Sequence, residues 1–179
     1  MNKTEIKAKI AELISSGVAK TEVFARLSGQ GVKDKQLADL IASYADPRLC
    51  AQHYDKVNIL LTLMFIQAVI VFLLGFSMGL RIGPNAKWIM GGLLALIPLA
   101  FAWGFHRNSA GAYNAYILLS IIQMPRQLDG FISSPIATSV GLAIGIGMLA
   151  FVWYVRQKLF PDFAFMGPRK VKGQYVFAS

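Results

Sequence analysis

The sequence predicts an all-α, polytopic integral membrane protein: a four-helix transmembrane bundle with a small cytoplasmic helical module at its N-terminus. Three observations carry that prediction. Hydrophobic residues make up 55% of the 179 positions and charged residues only 15%, against about 25% charged in an ordinary soluble domain. The apolar excess is gathered into long runs, and the mean hydropathy is +0.52. The formal charge of +9 is spread over the flanks of those runs, as basic residues are in membrane proteins. Together these argue against a disordered chain, a collagen-like repeat and a plain soluble globule.

Residues 1–52 read as a cytoplasmic module of short amphipathic helices. Thr4 is placed to cap a first helix whose Ile6, Ile10, Leu13 and Ile14 share one face, with Gly17 ending it. Thr21 is placed to cap a second, carrying Val23, Phe24 and Leu27 and closed by Ser28-Gly29. A third carries Leu37, Leu40, Ile41 and Tyr44 and is expected to stop at Asp46-Pro47. Gly17-Val18, Glu22-Val23 and Leu27 recur as Gly31-Val32, Gln36-Leu37 and Ile41, a pseudo-repeat. The spacing superficially suggests a helix-turn-helix, but Lys33, Asp34, Lys35 and Asp39 nearly cancel, whereas a recognition helix should be basic. No nucleic-acid partner is expected. The stretch before Tyr54 has no apolar core of a signal peptide, so the first apolar segment is expected to be an uncleaved anchor.

The bundle is expected over residues 53–158. From Val57 to Leu80 there is no charged residue, and at about 1.5 Å per residue this run reaches about 36 Å, enough to cross the hydrocarbon. A second span is expected over 88–105, with Trp88 and Trp103 as interfacial anchors. The third, 109–124, is short, carries Asn114, Ser120 and Gln123, and is kinked or ended by Pro125; it reads as a short span or a re-entrant half-helix. The fourth, 135–155, closes on Trp153-Tyr154 and Arg156. With four crossings, the basic residues fall mainly on the side of the two termini, leaving Arg81, Lys87 and Arg126 opposite. That asymmetry favours four crossings over three and puts both termini in the cytoplasm, in a membrane such as the bacterial inner membrane. Residues 159–179 form a basic, aromatic cytoplasmic tail, whose rings and cations suit the headgroup interface of the lipid bilayer or a protein partner.

Little in the sequence supports chemistry. The four apolar segments contain no Asp, Glu, Lys or Arg, which disfavours a self-contained coupled transporter. Cys50 is the only cysteine, and the two histidines, His53 and His106, make half a metal site at best. They would need Asp55 or Asp129 to complete a site. Ser77, Ser120, Ser133, Ser134 and Ser139 have no evident base, and Gly141, Gly145 and Gly147 lie in an apolar helix where no phosphate loop belongs. The expectation is a non-enzyme with no metal and no cofactor.

What remains is packing and polarity inside the membrane. Gly75-Phe-Ser-Met-Gly79 and Gly141-Leu-Ala-Ile-Gly145 are both GxxxG, Ala137 extends the second, and Gly91-Gly92 adds a small patch. Such residues let helix backbones approach where lipid offers little hydrophobic drive. They serve either packing within the chain or docking to a partner helix. Gln67, near the middle of the first span, should face another helix rather than lipid. Asn58, Thr62 and Gln67 in the first span, with Asn114 and Gln123 in the third, are the candidates to line a passive pore. The reading is a non-catalytic membrane protein that binds a protein partner in the bilayer and at its cytoplasmic face, or forms a homo-oligomer. Accessory subunits and immunity proteins against membrane-targeting toxins are concrete versions. The alternative is an oligomeric channel or small-solute permeation subunit.

Overall fold

The computed structural model describes residues 2–128, 134–165 and 167–177. They are mostly helical, and three helices are long and apolar enough to cross a membrane. The order is α1 (Lys3–Ser15), α2 (Lys20–Leu27), α3 (Asp34–Ala42), α4 (Pro47–Gln52), α5 (Tyr54–Leu80), α6 (Ala86–His106), α7 (Ala110–Leu128), α8 (Pro135–Leu159), β1 (Lys170–Val171) and β2 (Gln174–Tyr175).

The N-terminal pseudo-repeat is a structural repeat. Gly17 and Gly31 both take left-handed backbone, with φ of 88° and 90°. In each unit an extended residue, Ala19 or Lys33, precedes the helix, which begins three positions after the glycine, at Lys20 and at Asp34. Val23 and Leu37 are then fully buried, as are Leu27 and Ile41 one turn later. A left-handed turn costs glycine little and a side chain much, so the two glycines fix where each helix begins. Sequence reasoning misplaced the caps. The first helix starts at Lys3, and Glu5 accepts from the Asn2 amide at 3.0 Å; Thr21 lies inside α2, whose N-cap is Ala19. Asp46-Pro47 ends nothing: α3 has already stopped at Ala42, and Asp46 caps α4 by accepting from the Arg48 amide at 2.8 Å. Proline at the first helical position gives up an amide that would be unpaired anyway.

In the membrane part, α5 and α6 form a tight antiparallel hairpin built on glycine. A Cβ at Gly75 would meet the Met90 carbonyl at 2.8 Å and Gly91 Cα at 3.0 Å; one at Gly79 would meet Lys87 Cα and the Ala86 carbonyl, the latter at 2.7 Å. Gly91 is pressed against Phe72. The turn from α6 to α7 is equally close, Gly104 lying against Ala112. The third segment is a continuous helix through Pro125, running four residues beyond the expected 124. Pro125 sits in its last turns, so only the Ile121 carbonyl loses a ladder bond. At 19 residues it is about 28 Å long.

The tail departs most from expectation. Phe160, Phe163 and Phe177 are buried in one core with Ile6, Val23, Leu37 and Leu159, and the Phe24 ring lies 5.5 Å from Tyr175 and 5.8 Å from Phe177. Lys20 pairs with the buried Asp162 at 2.5 Å. Arg156, 1% exposed, donates to the carbonyls of Ala164 and Phe165 at 3.3 and 2.6 Å and stacks against Trp153 and Phe163. Much of the aromatic surface expected at the lipid interface is thus spent on the N-terminal module, and the tail ends in a small antiparallel hairpin, Lys170 opposite Tyr175.

Candidate functional site

The two GxxxG motifs, alike in sequence, have different fates. Gly75 and Gly79 are buried between α5 and α6. Gly141 is exposed, and no described atom lies within 4 Å of a Cβ built there; the same holds for Gly147. Around it Val140 and Ile144 are 54% and 67% exposed. Ala137 lies in α8, its side chain outside the described set, as are Asp129 and Ser133. The other half of α8 is anchored: Val152, Val155, Arg156 and Leu159 are buried against the module and tail. Of the three helices long enough to span, α8 is the least buried.

Behind this open half lies a polar pocket of about 130 Å³ lined by Gln67, Pro98, Tyr116, Ser120, Gln123 and Gly145, among others. Each helix of the bundle contributes. Gln67 is 13 residues into α5 and Gln123 13 residues into α7, so both lie about 20 Å from the module end of the bundle. The Gln67 Oε1 is enclosed and has no described hydrogen-bond partner. Pro98 frees the Leu94 carbonyl from the α6 ladder at the same level. Polar groups of this kind in lipid are tolerated only where they face protein or a water-holding cavity, and this volume admits several waters.

Of the polar residues singled out from sequence for a pore, the structure brings two together. Gln67 and Gln123 share the pocket. Thr62 faces outward and returns its hydroxyl proton to the Asn58 carbonyl at 3.0 Å, the usual way a helix satisfies threonine in lipid. Asn114 lies at the other end of α7, in a separate cavity against the module. Sequence reasoning missed Tyr116 and Pro98 as wall residues; only helical periodicity from Gln123 back through Ser120 and Tyr116 hinted at a common face.

The aromatic anchors sit at helix ends. Trp88 and Trp103 are 59% and 63% exposed; Trp88 packs edge-on against Phe76 at 5.0 Å and Arg107 lies over Trp103 at 4.9 Å. Tyr154 is exposed, with Lys56 and Lys158 above its ring. Trp153 is half-buried against Phe165 instead. His53 and His106 lie at the same end of the bundle, at the start of α5 and the end of α6. Partial burial holds the His53 imidazole below its ordinary value, with Lys56 and Lys158 adding to the effect. Among the described residues no group of three or more His, Cys, Asp or Glu side chains is gathered as metal ligands. The chain matches no family model, and neither a curated protein nor a solved structure is significantly similar to it.

Proposed function

We propose that this protein is a non-catalytic membrane protein that binds a transmembrane helix of a partner protein on the outer half of α8. The observation that carries the reading is the contrast between the two glycine motifs. One is consumed in the α5–α6 hairpin, and the other offers its first glycine, Gly141, to open space. A glycine face on a spanning helix gives up lipid contact and gains nothing until another backbone approaches it.

Four crossings with both termini in the cytoplasm fit this reading. The contact between Lys20, before the first apolar helix, and Asp162, after the last, supports an even number of crossings. With α5, α6 and α8 as spans, α7 is the fourth. The positive-inside asymmetry supports a cytoplasmic location for the joined termini. An inner-membrane accessory subunit or an immunity protein meets these requirements.

The test is photo-crosslinking in cells from positions 140 and 144, on the open half of α8, with position 73 on α5 as control. A discrete protein adduct from α8 alone, lost on Gly141→Leu, is expected. Lipid-only products, or the same adducts from α5, would overturn the reading. The permeation alternative draws on the shared Gln67–Gln123 pocket, and predicts solute flux in liposomes that Gln67→Leu abolishes.

A further inference from the structure

A second polar cavity, of about 480 Å³, lies where the module meets the bundle. Its polar lining comes from three places: Lys7 on α1, Asp39 and Ser43 on α3, and Ser109 and Asn114 at the start of α7. The volume is that of a small-molecule site. Its chemistry is lopsided. The Asn114 Oδ1 is buried without a described hydrogen-bond partner. Ser43 already donates its hydroxyl proton to the Leu40 carbonyl at 3.0 Å, so it offers the cavity only lone pairs. Asp39 is a carboxylate, and burial pushes its carboxyl above the ordinary range, Lys35 offsetting this only in part. Asp39 and Ser43 therefore present acceptors to this space, beside a buried Asn114 amide oxygen that has no described partner. Lys7 is the lining cation, yet the ion pairs among the described residues are Lys20–Asp162 and Arg26–Glu22, so Lys7 and Asp39 share the cavity without closing on each other.

Below it the surface changes character. Leu118 and Ile122, one and two turns beyond Asn114 on the same face of α7, are 48% and 57% exposed. A polar pocket with one cation in its lining thus stands at the head of an exposed apolar stripe on α7, which the four-crossing reading proposed above turns toward lipid.

We propose that this junction cavity holds the headgroup of an ethanolamine phospholipid, with its acyl chains along Leu118 and Ile122. A primary ammonium can donate to Asp39 and Ser43 at once, and the adjoining phosphate meets Lys7. A choline headgroup has a cation but no N–H, and a glycerol headgroup has donors but no positive charge for Asp39. The site is independent of the α8 face.

The test is native mass spectrometry of the purified full chain in detergent, given equal amounts of dioleoyl phosphatidylethanolamine, phosphatidylcholine and phosphatidylglycerol. Retention of the ethanolamine lipid about tenfold over the choline lipid is expected, since a charged hydrogen bond of this kind is worth about that factor. Asp39→Asn should erase the preference, and Lys7→Gln, at an exposed position that leaves folding intact, should weaken all three lipids while keeping their order. Equal retention of the three lipids, or a preference that survives Asp39→Asn in folded protein, would overturn the proposal. Displacement of the lipid by an equal concentration of soluble glycerophosphoethanolamine would also overturn it, because the acyl stripe would then contribute nothing.

Discussion

Alanine at Gly79 and alanine at Gly141 are the same chemical change on two spanning helices, and the structure assigns them opposite consequences. At Gly79 the new methyl would lie against Lys87 Cα, 2.7 Å from the Ala86 carbonyl and 2.7 Å from the Lys87 nitrogen. Carbon needs about 3.5–4.0 Å from such neighbours, and all three are backbone, so none can rotate aside. The α5–α6 hairpin must open by about 1 Å along its tightest contact. Overpacking of this severity costs about 3 kcal/mol, and replacing glycine within a helix returns about 1 kcal/mol. The net loss is about 2 kcal/mol, or about thirtyfold in the folding equilibrium. At Gly141 no described atom lies within 4 Å, so alanine costs nothing there and gains up to about 1 kcal/mol from helix propensity. Reversible unfolding in mixed dodecyl maltoside and dodecyl sulfate micelles, followed by circular dichroism, measures both. Equal stability of the two variants would refute the assignment of the first motif to internal packing and of the second to open surface.

Four further outcomes follow from the same packing. Lys20→Met leaves the Asp162 carboxylate, whose side chain is fully enclosed, without this cation; loss of a buried partner costs about 3 kcal/mol, so tryptic cleavage at Arg169 and Lys170 should accelerate sharply while the spans stay protected. Asp46→Ala removes the α4 cap and should lower stability by about 1 kcal/mol, read as a shift in the same micelle titration. Burial, and secondarily Asp46, push the Cys50 thiol above its ordinary value, so less thiolate is present at any pH than in a free cysteine; alkylation at pH 8 should be slower than for a model thiol and should rise only at higher pH, and a rate equal to the model's would contradict the burial. Gln67→Leu removes an enclosed oxygen that has no described partner and should raise stability by about 1 kcal/mol; a loss of that size would mean that water or a ligand in the pocket satisfies the carboxamide.

Three long apolar helices and the short N-terminal helices were legible because both follow from periodicity and from the absence of charge. Val57–Leu80 is a charge-free run long enough to cross a membrane, and the 14-residue pseudo-repeat pointed to two like helices, although not to where they begin. The caps were less legible, since Thr4, Thr21 and Asp46 all satisfy the local rule and the chain uses only Asp46. A tertiary preference of a few kcal/mol decides among such equivalent starts. The tail was misread for a different reason. Aromatics interleaved with Lys and Arg have the same composition whether they meet headgroups or a protein surface, and the pair that settles it, Lys20 with Asp162, is separated by 142 positions. No spacing rule reaches that far. Gln67 and Gln123 line one pocket inside the bundle, whereas Asn114 did not join them because it lies about two and a half turns earlier in α7, at the level of the module.

The module and tail bear on the open face of α8 through leverage. In lipid a helix is held by van der Waals contact and by polar bonds, not by hydrophobic drive. The far half of α8 has few such contacts around Gly141. The near half has Val152, Val155 and Leu159 in the core and Arg156 bonded to the tail's carbonyls. The angle of α8 is therefore set from the module end, by a tail that is itself fastened to α2 through Lys20 and Phe24. If the proposed docking on Gly141 is right, loosening the tail should weaken it from about 30 Å away. Lys20→Met should reduce crosslinking from position 144 while leaving the α5–α6 hairpin as stable as before. Undiminished crosslinking with a demonstrably released tail would show that α8 holds its angle unaided, and that the module serves some purpose unconnected with the membrane face.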